Sequence, residues 1–116
     1  MLGIAKAVVG VAPSSPYSVN LNPGEVIVFS GNGSASSPVV YSTVVSGVGP
    51  FSYQWTITGS SITIVSATEA NTRFGSAGYN DSFNEVATLT VTDTGNGNAE
   101  TTRDIQVKFT FESQGL

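Results

Sequence analysis

Residues 51–58 alternate without exception: Phe51, Tyr53, Trp55 and Ile57 are large and apolar, while Ser52, Gln54, Thr56 and Thr58 are small or polar. A period of two is the pattern of a strand with one face in a core and the other in water. The chain's single tryptophan sits in the middle of this run, where it brings the largest block of apolar surface that any one side chain can bury. The pattern predicts a central strand of a β-sandwich, with the remaining chain wrapped around Trp55.

Other segments carry the same signal. Tyr17, Val19 and Leu21 alternate with Ser18 and Asn20, and Asn22-Pro23-Gly24 turns the chain. Residues 25–30 hold Val26, Ile27, Val28 and Phe29 in succession, which reads as a short strand buried on both faces. Residues 31–38 are loop by composition, and residues 39–46 are rich in β-branched side chains. Gly47-Val48-Gly49-Pro50 turns that strand back into the Trp55 run. Residues 62–65 form another strand, and residues 66–84 are the least regular part, with a short strand at 71–74 and a polar loop at 75–82. Strict alternation returns at 85–93, where Ala87, Leu89 and Val91 face in and Thr88, Thr90 and Thr92 face out. Thr94-Gly95-Asn96-Gly97-Asn98 contains Asn-Gly, a strong hairpin signal. Beyond it Ile105, Val107, Phe109 and Phe111 alternate with Asp104, Gln106, Lys108 and Thr110. No stretch has a helical period, so the expectation is an all-β sandwich. The chain's 116 residues suffice for one core.

Residues 1–16 stand apart. Ile4, Ala7, Val8, Val9 and Val11 precede Pro13-Ser14-Ser15-Pro16, a rigid spacer poor in hydrogen-bond donors. Two readings stay open: a first strand of the sandwich, or an arm that lies on a neighbouring subunit and adds a strand to its sheet. Residues 17–116 form the domain proper. Lys6 and Gly10 interrupt residues 1–12, which are too short for a signal sequence with separate charged and apolar regions. No stretch approaches the length of a membrane-spanning helix. Both chain ends are expected to be held by contacts within an assembly, because free ends fray.

Composition excludes much chemistry. The chain has no cysteine, which removes disulfides, thiol catalysis and thiolate metal sites. It has no histidine, the commonest general base and metal ligand, so a serine triad lacks its base. Four basic residues against eight acidic ones, a net charge of −4, argue against binding a phosphate backbone.

Two carboxylate-bearing groups remain. Asp93, Asn96, Asn98 and Glu100 surround one hairpin with the hard oxygens that calcium prefers; the plainer reading is a solvated turn with local backbone bonds. Glu69, Asp81 and Glu85 flank the irregular region, where a glycosidase pair would also need a groove and an acid of raised pKa. Surface carboxylates are the simpler account of these three.

Val45-Ser46-Gly47-Val48-Gly49-Pro50-Phe51-Ser52-Tyr53-Gln54-Trp55 resembles the segment joining two core strands in bacterial and phage immunoglobulin-like domains, where an SG-x-GP-x-x-YQW pattern leads into the core tryptophan. The run from Ala87 to Asn96, ATLTVTDTGN, is similar to the later strand and turn of the same superfamily, which includes the PKD-like domains. The resemblance covers residues 17–111 as architecture. It implies an immunoglobulin-like β-sandwich of about seven strands with an N-terminal extension. The chain departs from the pattern after Trp55, where Thr56-Ile57-Thr58-Gly59 replaces the acidic turn usual in PKD domains. It also lacks the antibody-type cysteine pair, and Ala87 stands near the place of a tyrosine in related domains. These families have no active site to lend, so the resemblance implies no cofactor and no metal.

The expected function is therefore that of a non-enzymatic structural protein of a virion, that of a tailed bacteriophage. A capsid decoration protein comes first and a tail or baseplate component second. Such a protein is made in the host cytoplasm and needs no signal peptide. Its partner would be the major capsid protein or a tail protein of the same virion, with a homo-oligomer also open; neither nucleic acid nor membrane is expected. The contacts are expected from Ile4, Val8, Val9 and Val11, from Tyr79 and Phe83 in the irregular region, and from residues 112–116. A second expectation, from a different class, is a carbohydrate- or cell-surface-binding module with Tyr79, Phe74, Phe83 and Tyr41 as a stacking platform. An enzyme is the third and lacks the reactive residue types.

Overall fold

The computed structural model of the chain describes residues 17–113. Every regular element among them is a strand: β1 (Ser18–Asn22), β2 (Glu25–Gly31), β3 (Gly33–Ser36), β4 (Tyr41–Val45), β5 (Phe51–Ile57), β6 (Ile62–Ile64), β7 (Phe74–Gly78), β8 (Asp81–Asp93) and β9 (Ala99–Glu112). The all-β expectation holds. The two readings of residues 1–16, arm or first strand, fall outside the described residues, as do Ile4, Val8, Val9 and Val11 and the last three residues.

The long β8–β9 hairpin is the spine. Its strands pair antiparallel from Asp93 opposite Ala99 to Asp81 opposite Phe111. The loop between them places Gly97 and Asn98 at φ 64° and 61°, the pair of positive φ values that a type I′ turn requires. Ala99 N–H donates to the Asn96 carbonyl at 3.2 Å across it. β5 adds antiparallel to β8 and β2 adds parallel to β9, giving a sheet of order β2-β9-β8-β5. Opposite it lie the pair β1–β4 and the sheet β3-β7-β6. A bridge between Val40 and Thr72 links these two pieces where β3 gives way to β4.

One apolar cluster draws on all of these pieces. Val19, Val26, Val40, Trp55, Ile62, Phe74, Leu89, Val107 and Phe109 belong to it, each nearly sealed from solvent. Such packing of sheet against sheet is consistent with a β-sandwich. Trp55 is buried, its indole N–H donates to the Glu69 carbonyl at 2.9 Å, and its ring meets Phe74 edge-on at 5.8 Å. Each fully buried side chain of the size of Phe74 contributes about 1.5–3 kcal/mol.

Several expectations are corrected. Among the described residues β5 is an edge of its sheet in ladder order, not a central strand; on its far side the Trp55 N–H donates to the Ala67 carbonyl at 2.7 Å. β2 is not buried on both faces: Val26 is buried, but Ile27 and Phe29 are 51% and 74% exposed. Alternation was hidden there because the outward positions are apolar as well. The stretch read as loop at 31–38 contains β3, which pairs with β7. Likewise the polar loop at 75–82 is mostly strand, with Gly75, Ser76, Ala77 and Gly78 in β7. Small residues hide strands from pattern reading, because they carry neither apolar alternation nor β-branching.

Candidate docking surface

At one end of the sheets a single asparagine ties three chain segments together. Asn80 sits between β7 and β8 with φ 47°, a left-handed conformation that asparagine tolerates better than most residues. Its backbone N–H donates to Asn32 Oδ1 at 2.8 Å. Its own Oδ1 accepts from Asn32 Nδ2 at 3.3 Å and from the Ser113 N–H at 2.9 Å. The β2–β3 connection, the β7–β8 turn and the end of β9 are thereby fixed to one another.

Tyr79 precedes this knot and is 75% exposed. Holding an exposed aromatic on an ordered turn lowers the entropy lost when a partner closes over it. Beside the knot lie two adjoining hollows. One is lined by Phe29, Ser30, Gly31, Thr110, Glu112 and Ser113; the other includes Asn80, Asp81, Ser82 and Phe111 and shares Thr110 and Glu112 with the first. Asp81 and Glu112 make this end acidic.

The other expected contact residue, Phe83, is half-buried. It points inward with the core phase of β8 and meets Phe111 at 6.3 Å, ring edge to ring. It also lines a shallow hollow on the β3-β7-β6 side, among Ser61, Thr63, Val65, Ser76 and Ala77. Tyr79 and Phe83 therefore serve different surfaces. Of the proposed stacking platform, Phe74 is fully buried and belongs to the core, while Tyr41 is 54% exposed on β4. Sequence reading missed Asn32 and Asn80, whose pairing spans 48 residues. The signal that could have marked the two connections was turn-forming composition, Gly31-Asn32-Gly33 in one and Asn80-Asp81 in the other.

The carboxylate groups do not assemble. Asp93 is fully buried, and its two oxygens accept the N–H groups of Val48 at 2.8 Å and Gly49 at 2.9 Å. Those oxygens are committed to the β4–β5 turn, which withdraws the strongest ligand from the calcium set. Glu85 accepts the Ser61 N–H at 3.1 Å through Oε2, and its buried Oε1 has no hydrogen-bond partner among the described residues. Among the described residues no three acidic side chains converge as a metal site would need.

The chain matches no protein-family model and no curated protein. What the molecule offers a partner is read from its own surface.

Proposed function

We infer that this is a non-enzymatic structural domain of immunoglobulin type whose work is to dock onto a larger assembly, and that the assembly is the capsid of a tailed bacteriophage. The strand order supports the immunoglobulin-like reading. One layer runs β2-β9-β8-β5. The other follows as β1 with β4, and β7 between β3 and β6, with the lead-in to β4 bridged to the lead-in to β7 through Val40 and Thr72. Such an order is compatible with the two-sheet arrangement of that class, with the Trp55 strand and the β8–β9 hairpin in one layer. The virion setting rests on the likeness of residues 45–55 to phage domains, with a tail or baseplate position as its variant.

The observation that carries docking is Tyr79, three-quarters exposed on a turn held by Asn80. An exposed aromatic on a turn beside an acidic hollow that Asp81 and Glu112 line suits a partner surface with an apolar pocket and basic rim. The test is co-sedimentation of the purified chain with capsids that lack it. Tyr79→Ala is expected to weaken binding at least about tenfold while leaving the unfolding midpoint unchanged. Equal binding by the variant, or no particle binding at all, overturns the reading.

The hollow lined by Ser61, Thr63, Ser76, Val65 and Phe83 favours a second reading, a carbohydrate-binding module. Hydroxyls beside a half-buried ring suit a sugar face. Saturable binding on a glycan array by a chain that ignores particles would select it.

A further inference from the structure

The four-stranded sheet has two edges of opposite character. On β5 the outward residues Ser52, Gln54 and Thr56 are polar, and residues 67–69 run alongside, where the Ala67 and Glu69 carbonyls accept the backbone and indole N–H groups of Trp55. On β2 the outward residues are Ile27 and Phe29, 51% and 74% exposed. β9 is its one ladder partner among the described residues. Exposed edges are normally blunted by lysine, proline or a bulge, because a bare edge recruits another strand. β2 has none of these, and its sole charge is Glu25 at its start.

We propose that β2 pairs antiparallel with β2 of a second copy of this chain, about a two-fold axis through Val28, joining two four-stranded sheets into one continuous sheet. The register follows from the residues. Antiparallel strands keep outward residues opposite outward residues, since directly opposed side chains share a face. Three two-fold registers satisfy this with useful overlap. An axis at Ile27 sets Phe29 against the partner's Glu25. An axis at Phe29 sets Ile27 against the partner's Gly31 and leaves its side chain uncovered. The axis at Val28 sets each Ile27 opposite the other copy's Phe29, so that both exposed apolar side chains are covered twice over by aromatic–β-branched pairs. Charge agrees with that register: Glu25, the one charged residue of β2, meets Gly31 at the end of the paired stretch rather than a carboxylate. On the inner face half-buried Val28 meets its own copy. The contact is isologous, as a closed two-fold dimer requires, and it leaves the Tyr79 turn at the end of the sheet free for another partner.

Sedimentation velocity on the full chain is expected to show a concentration-dependent monomer–dimer equilibrium. Ile27→Lys and Phe29→Ser, both at exposed positions, raise the dissociation constant at least about tenfold. The register is read separately, because the chain has no cysteine of its own. Mixing the Ile27→Cys chain with the Phe29→Cys chain under mild oxidation gives the mixed disulfide in excess over either homodimer. A chain that stays monomeric at every concentration, a dimer indifferent to both substitutions, or a homodimer of the Phe29→Cys chain as main product overturns the proposal. Particle binding by Tyr79→Ala is a separate readout, so either reading can fail alone.

Discussion

Asp93 holds Gly49 across 44 residues of chain, with its Oδ1 accepting the Gly49 N–H at 2.9 Å while Oδ2 accepts that of Val48 at 2.8 Å. The last residue of β8 thus fixes the turn that delivers the chain into β5. It lies on the same inward phase as Ala87, Leu89 and Val91, so the strand's own alternation aims a carboxylate at a turn. Removing it with Asp93→Ala leaves two donors facing an apolar gap. The expected loss is about 2–4 kcal/mol in urea unfolding, with Asp93→Asn losing less because one oxygen can still accept. A loss below about 1 kcal/mol for the alanine variant would mean water replaces the carboxylate at little cost.

Gly95 and Gly97 separate steric from conformational need within one loop. A Cβ on Gly95 would overlap the Gly49 carbonyl oxygen, which is backbone and cannot swing aside. A Cβ on Gly97 would meet open space, but the residue sits at φ 64°. Gly95→Ala is expected to cost about 2 kcal/mol or more, and Gly97→Ala about 1 kcal/mol. Thermal unfolding of the pair should rank them in that order; the reverse order would mean that the two turns give way together.

Tyr17 supplies the expected pH dependence. Its hydroxyl lies within reach of the Val91 carbonyl at 3.0 Å and of the Ala99 carbonyl, and its one proton serves either acceptor at a time. Burial above all, then the neighbouring Asp93 carboxylate, raises its pKa from the usual 10.0. The folded state therefore keeps the proton to higher pH than the unfolded chain. The stability this contributes is fully present below pH 10 and is lost as pH rises through the folded value. Tyr17→Phe should cost about 0.5–1.5 kcal/mol at neutral pH and flatten the alkaline slope of unfolding free energy. An unchanged slope would show that Tyr17 ionises equally in both states.

Asn80 links stability to the proposed docking. Asn80→Ala loses its side-chain bonds to Asn32 and Ser113 and strains the positive φ, for an expected loss of about 1–3 kcal/mol. Asn80→Gly keeps the backbone conformation and loses only the bonds. Both should speed hydrogen exchange at Ser113 and weaken particle binding without touching Tyr79. If the glycine variant binds as the parent does, the turn needs its backbone shape and not its side-chain bonds.

The scaffold was legible where large side chains alternate. β5 and the body of β8 and β9 carry strict period-two patterns, and the structure keeps their inward residues inward. The short strands escaped for a physical reason. β3 is Gly33, Ser34, Ala35 and Ser36, residues that pair by backbone alone and leave no periodic mark. β2 misled because Ile27 and Phe29 break the rule that outward means polar. The proposed docking end was half legible: Tyr79 stood out as an aromatic among small polar residues, but the Asn32–Asn80 pairing depends on tertiary closure that no local window contains. Phe83 illustrates the converse, since its apolar character was read as exposed contact and is in large part packing against Phe111.

The parallel alignment of β2 with β9 has a mechanical consequence. A load drawn between the early and late parts of the chain pulls β2 and β9 in opposite directions along their shared axis. Their ladder bonds then bear tension together and must fail as a group, rather than opening one after another like a zipper. A molecule stretched in that direction would hold and then yield abruptly and late, not gradually.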